Sequence, residues 1–182
     1  MTETGERCSG CGLEIAGGDA GCEALLQELN ARVYSDVRYG RLLSMGVDIY
    51  ALQHPDNYCV SAKSLAAHLC GLCGIIERDQ PPSPPNMALR AWLDGSVDIE
   101  KPDLPHDRGT RTIGDLIDCD DPEQFDKAVW LWGRDVWAAY APLHALARQW
   151  LDRAEQRPGL RQHDRQRLGQ RGPHRTPPGR RR

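Results

Sequence analysis

Seven cysteines and six histidines in 182 residues are the side chains best suited to chemistry here. Cys8-Ser9-Gly10-Cys11-Gly12 holds a C-x2-C pair, a spacing that puts two sulfurs at one turn and within reach of one tetrahedral ion. Cys22 follows where a helical pattern begins, and a helix N-terminus favours the thiolate, the form that binds metal. Three thiolates and one further ligand make a closed, structural zinc site. The same pair also reads as an unliganded reduced loop or as a redox dithiol, though no βαβ pattern surrounds it.

The fourth ligand is expected from His54 or His68. A different arrangement places His54, His68 and His144 on three helices, converging as an imidazole triad in a bundle core, with Asp48 orienting one ring from behind. Taken one at a time, each of these histidines also reads as a buried neutral side chain with one or two hydrogen bonds. His106, His163 and His174 fall in polar segments and read as solvated. Cys70-x2-Cys73 lies inside a helical pattern, where small thiols serve packing; a four-thiol site with Cys8 and Cys11 is the alternative. Cys59 and Cys119 have no partner pattern.

The elements that must position these groups read as helices. Glycines at 10, 12, 17, 18 and 21 let a knuckle-like loop over 8–22 fold back on itself. Leu25, Leu26, Leu29 and Val33 then repeat at helical spacing, predicting a helix over 22–33. A second helix is expected over 37–53, capped by Ser35 or Asp36 and closed by His54-Pro55. Ser61 reads as the N-cap of a third, over 61–78, with Leu65, His68, Leu69, Leu72, Ile75 and Ile76 on one stripe. A proline-rich connector and a short helix over 85–93 follow. Thr112-x-x-Asp115 resembles a capping box opening a helix over 112–118. Asp121-Pro122 begins the longest, 122–154, which Pro142 should kink near Ala138. No alternating strand pattern and no internal repeat are visible. The expected fold is mainly α: a single helical-bundle domain over 1–156 with an N-terminal Cys-rich knuckle.

Charge divides the chain. Residues 157–182 carry nine Arg against one acidic residue, a net of +8, while the other 156 carry 14 basic and 25 acidic side chains, a net of −11. The basic segment has too little apolar surface to bury and reads as a disordered tail. It could touch nucleic acid through phosphates without sequence readout, but the acidic body and the lack of aromatic residues to stack on bases oppose that. No apolar run approaches the roughly 18 residues that span a bilayer. The start, MTETGERC, has no apolar stretch behind a basic segment, so a cytoplasmic protein is expected. Neither a Gly-x-Gly-x-x-Gly turn, nor a Gly-Lys-Ser/Thr loop, nor a Gly-x-Ser-x-Gly elbow occurs, which removes the common nucleotide and hydrolase sites.

Five pieces carry a resemblance: Cys8-Ser9-Gly10-Cys11-Gly12, Gly21-Cys22, Tyr34-Ser35-Asp36, Asp48-Ile49-Tyr50-Ala51-Leu52-Gln53-His54-Pro55, and Ser64-Leu65-Ala66-Ala67-His68-Leu69-x-x-Leu72. Together, and with the less specific Trp137…His144 segment, they resemble an uncharacterised bacterial family, common in actinobacteria, that carries only a domain-of-unknown-function label. The resemblance runs from about Cys8 to Trp150 and implies a small soluble domain whose Cys and His motifs are ligands. Members usually have a longer stretch with a Thr-His pair between the second and third Cys; here residues 13–21 lack it, leaving the fourth ligand to His54 or His68. The imidazole triad is similar in architecture only to His-triad helical bundles of the thiol-transferase type, which keep an open metal position for a thiol or water.

Overall fold

Residues 5–82 and 86–156 are described by the structure, a computed structural model. The chain opens with a two-stranded antiparallel ribbon, β1 (Glu6–Arg7) and β2 (Glu14–Ile15), with Glu6 opposite Ile15. Seven helices follow among the described residues: α1 (Gly18–Ser35), α2 (Leu43–Gln53), α3 (Pro55–Tyr58), α4 (Ala62–Arg78), α5 (Met87–Asp94), α6 (Pro122–Ala139) and α7 (His144–Glu155). Short 3-10 turns cover Val37–Leu42, Ile113–Leu116 and Ala141–Leu143. The segment 157–182, expected to be a disordered tail, lies outside the described residues.

Local chemistry accounts for the helix starts. Ser61 accepts from the Ser64 amide while the Ser64 hydroxyl accepts from the Ser61 amide, a reciprocal box that satisfies two otherwise free donors at the start of α4. Thr112 and Asp115 form a second such box, though it opens one 3-10 turn rather than the longer helix expected to 118. Asp121 accepts from the Gln124 amide at 2.9 Å, with Pro122 at the first helical position of α6.

The centre of the bundle is α4, packed against α2 on one side and α7 on the other, with α6 closing against α2. Met45, Ile49 and Leu52 of α2 and Leu65, Leu69 and Leu72 of α4 are fully buried, while Trp132 and Trp150 bring the largest buried side chains from α6 and α7. Cys70 and Cys73 belong to this core; both are fully buried, and Cys70 Sγ lies 3.6 Å from the Ala147 carbonyl. They serve packing, not a four-thiol site.

Two expectations are corrected. The long helix over 122–154 is two helices: α6 stops at Ala139, and Pro142, which has no amide to donate, sits in the 3-10 turn before α7. A break rather than a kink therefore separates them. The knuckle also contains strands, each too short for any alternation to register in the sequence.

Candidate metal centre

The ribbon and two helices bring four ligand atoms together. Cys8 directly follows β1, Cys11 lies in the turn that leads back to β2, Cys22 sits in the first turns of α1, and His54 caps the end of α2. One atom from each, three Sγ and a histidine ring nitrogen, all lie within 4.8 Å of one another. His54 Nε2 is 3.4 Å from both Cys8 Sγ and Cys22 Sγ, and Cys11 Sγ is 3.7 Å from Cys22 Sγ. Cys8, Cys22 and His54 are buried and Cys11 is partly exposed. Cys8, Cys11, Cys22 and His54 thus form a group that could hold a metal ion.

The surroundings prepare each ligand. His54 Nδ1–H donates to the Tyr50 carbonyl at 2.8 Å, which fixes the tautomer and leaves the Nε2 lone pair facing the sulfurs. The Tyr50 ring stacks on the imidazole with centroids 4.0 Å apart, so the ring plane is fixed as well. Gly10 makes this approach feasible: a Cβ there would sit 2.3 Å from His54 Cδ2. Only a residue without a side chain lets the knuckle close over the ring. Ser9 donates from its amide and its hydroxyl to Asp19, at 2.6 and 2.8 Å, tying the turn to α1 and lowering the Asp19 carboxyl.

The thiols titrate unequally. The hydrogen bond from Cys22 holds Cys11 far below the usual thiol range, and the same contact with Cys11 pushes Cys22 up. Burial raises Cys8, against the pull of the Cys11 and Gly10 backbone amides; the Leu13 amide likewise favours the Cys11 thiolate. Amides aimed at sulfurs are what a knuckle supplies to thiolate ligands. Behind the cluster, the Tyr50 hydroxyl is 3.7 Å from Cys22 Sγ, and Glu23 accepts from the Tyr58 hydroxyl at 2.9 Å.

Gln53, next to the ligand histidine, fastens the site to the bundle. Its side chain donates to the Arg108 and Arg111 carbonyls at 3.1 and 2.8 Å and accepts from Trp132 Nε1 at 2.9 Å. Arg108 in turn reaches the carbonyls of Gly10 and Gln53, each at 3.4 Å. The sequence reading placed Gln53 in its most distinctive motif without a role, and missed Arg108 altogether. A polar residue directly before His-Pro, following the apolar run Ile49–Leu52, was the available signal for the first; no signal marked the second.

The other expected ligands stand elsewhere. His68 Nδ1 is 2.9 Å from Asp48 Oδ1, a pair on the far parts of α2 and α4, where burial pushes the Asp48 carboxyl up to about 6. His144 Nε2 donates to the Trp137 carbonyl at 2.7 Å and stacks on that indole, centroids 3.9 Å apart. Among the described residues no second group of three or more potential ligands converges, so the imidazole triad of His54, His68 and His144 is not assembled. Each ring is held by a different partner: His54 by the Tyr50 carbonyl, His68 by Asp48 and His144 by the Trp137 carbonyl. Asp48 does orient a histidine, but that histidine is His68.

Fold and site together define a class: a small α-helical bundle carrying an N-terminal Cys3His knuckle. The chain belongs to a family of unknown function (DUF5946), whose model matches residues 6–141. That span contains the ribbon, all four clustered ligands and the helices through α6. No curated protein and no solved structure matches the chain significantly. No helix among the described residues is long and apolar enough to cross a membrane.

Proposed function

We propose that Cys8, Cys11, Cys22 and His54 hold a structural zinc ion, which pins the N-terminal ribbon and α1 to the end of α2. The observation that carries this reading is the convergence of four ligand atoms within 4.8 Å from segments up to 46 residues apart. Three thiolates and one imidazole are soft and borderline donors, a set that favours zinc over magnesium or calcium. All four positions of a tetrahedron would be filled by protein, so no place remains for water or substrate. The contribution of such an ion is folding energy rather than catalysis. The inward-facing Nε2 of His54, fixed by the Tyr50 carbonyl, and the amides directed at Cys8 and Cys11 support a site built in advance of its ion.

Elemental analysis of full-length protein purified without chelator tests the reading. About one zinc per chain is expected, with a marked loss of thermal stability after chelation. A content below about 0.2 zinc per chain, together with melting that EDTA leaves unchanged, would sink it.

A further inference from the structure

Away from the knuckle, α2, α4 and α5 border an open cavity of about 760 Å³. Its size is within the range of small-molecule sites, roughly 300–1,000 Å³. Leu43, Val47, Ile75, Leu89 and Leu93 form apolar walls, and the Asp48–His68 pair lies among them. An apolar pocket with one oriented polar group is the usual build of a ligand site.

The pair is held in place by the backbone. A Cβ on residue 71 would lie 2.3 Å from Asp48 Oδ2, so Gly71 lets the carboxylate press against α4 one turn below His68. Asp48 Oδ1 takes the Nδ1 side of the ring, and Nε2 has no hydrogen-bond partner among the described residues. In an imidazolium both ring nitrogens donate, so a ring with one carboxylate at Nδ1 can take a second carboxylate at Nε2. Lys63 and Arg90 line the cavity together with Asp48 and Asp94; the Asp94 carboxylate stands 3.9 Å from Arg90 Nε, and the Lys63 ammonium donates to the Gly95 carbonyl at 2.9 Å.

We propose that this cavity binds a small amphipathic carboxylic acid, with its hydrocarbon part between α2, α4 and α5 and its carboxylate accepting from His68 Nε2. Asp48 is then a positioning residue, and the knuckle lies outside the site.

Isothermal titration of the metal-loaded full chain with decanoate, and with decan-1-ol as the uncharged counterpart, tests this. Decanoate should bind saturably with a Kd of about 0.1 mM or below, as its dozen heavy atoms allow. His68→Gln should weaken it about tenfold, the loss of one charge-assisted hydrogen bond. Val47 is 41% exposed, so Val47→Trp can fill the cavity without opening the core, and binding should vanish. Unfolding of either variant is checked by its melting curve; the wild-type protein gives a separate readout in the ring ¹⁵N signals of His68, which should move on addition of decanoate. Absence of saturable heat, stationary His68 signals, unchanged binding by a folded variant, or decan-1-ol binding as tightly as decanoate would each overturn the proposal.

Discussion

His54 donates from Nδ1 to the carbonyl of Tyr50, one helical turn earlier, and stacks on the same residue's ring. The hydrogen-bond partner is main chain, so the tautomer does not depend on which side chain occupies position 50, and a phenyl ring there preserves the stack. Tyr50→Phe should therefore keep the metal, losing only the hydroxyl near Cys22, with affinity down by about tenfold or less. A zinc-chelator competition assay measures it; abolished binding would show that the hydroxyl, not the carbonyl, is what matters.

Ligand substitutions should separate the two groups of histidines. Cys11→Ser, Cys22→Ser and His54→Ala are each expected to weaken metal binding by more than about 100-fold, beyond what outer-shell changes cost. His68→Ala and His144→Ala should retain it, since both rings are held elsewhere. Cobalt-substituted protein reports the result directly through thiolate-to-metal bands in the near ultraviolet.

Gly10→Ala tests the closeness of the knuckle to His54. The new methyl would arrive 2.3 Å from Cδ2, with the Gln53 carbonyl at 3.0 Å on the other side. Displacing the ring or the turn should cost about 1–3 kcal/mol, the usual range for overpacking, and should lower metal affinity in parallel. Chemical denaturation of metal-loaded and chelated protein would measure it. The penalty should shrink in the chelated form.

Gln53→Leu keeps the bulk and removes three hydrogen bonds. It leaves the indole N–H of Trp132 and two loop carbonyls without their partner inside the bundle. Leaving buried polar groups unpaired costs about 1–3 kcal/mol each where water cannot reach them, so a loss of about 3 kcal/mol is expected in urea denaturation.

Asp48 gives stability a dependence on pH with a definite sign. Burial raises its carboxyl from 3.8 to about 6, so the folded protein holds this proton more tightly than the unfolded chain. Its contribution to stability is thus most favourable below about pH 4 and declines as pH rises to about 6, by up to 3 kcal/mol in all. Asp48→Asn should remove that decline. Parallel denaturation curves of the two proteins between these pH values provide the measurement, and identical slopes would refute the assignment.

The helices were legible because their signals are local. Ser61, Thr112-x-x-Asp115 and Asp121-Pro122 announce starts through contacts within four residues, and the stripe of Leu65, Leu69 and Leu72 repeats at the helical period. Pro142 was read as a disturbance, but whether a proline bends a helix or ends it depends on what packs around the freed carbonyls. Here Tyr140 and Leu143 close a 3-10 turn instead, and Tyr140 anchors its hydroxyl on the Leu52 carbonyl at 2.6 Å. The ribbon, two residues per strand, is shorter than any pattern could reveal.

By itself the sequence determined the chemistry on offer: a C-x2-C turn with glycines, a third Cys at a helix start, and His54 and His68 as candidates for the last ligand. Tertiary structure decided which of them meets the cysteines. His54 and His68 are the same residue type, and both lie at or beside helical positions near apolar neighbours. What separates them is distance across the fold: the end of α2 brings His54 against Cys8, 46 residues earlier, while α4 brings His68 against Asp48. Ligand identity depends on which surfaces meet once α2 and α4 pack, and no local spacing encodes that.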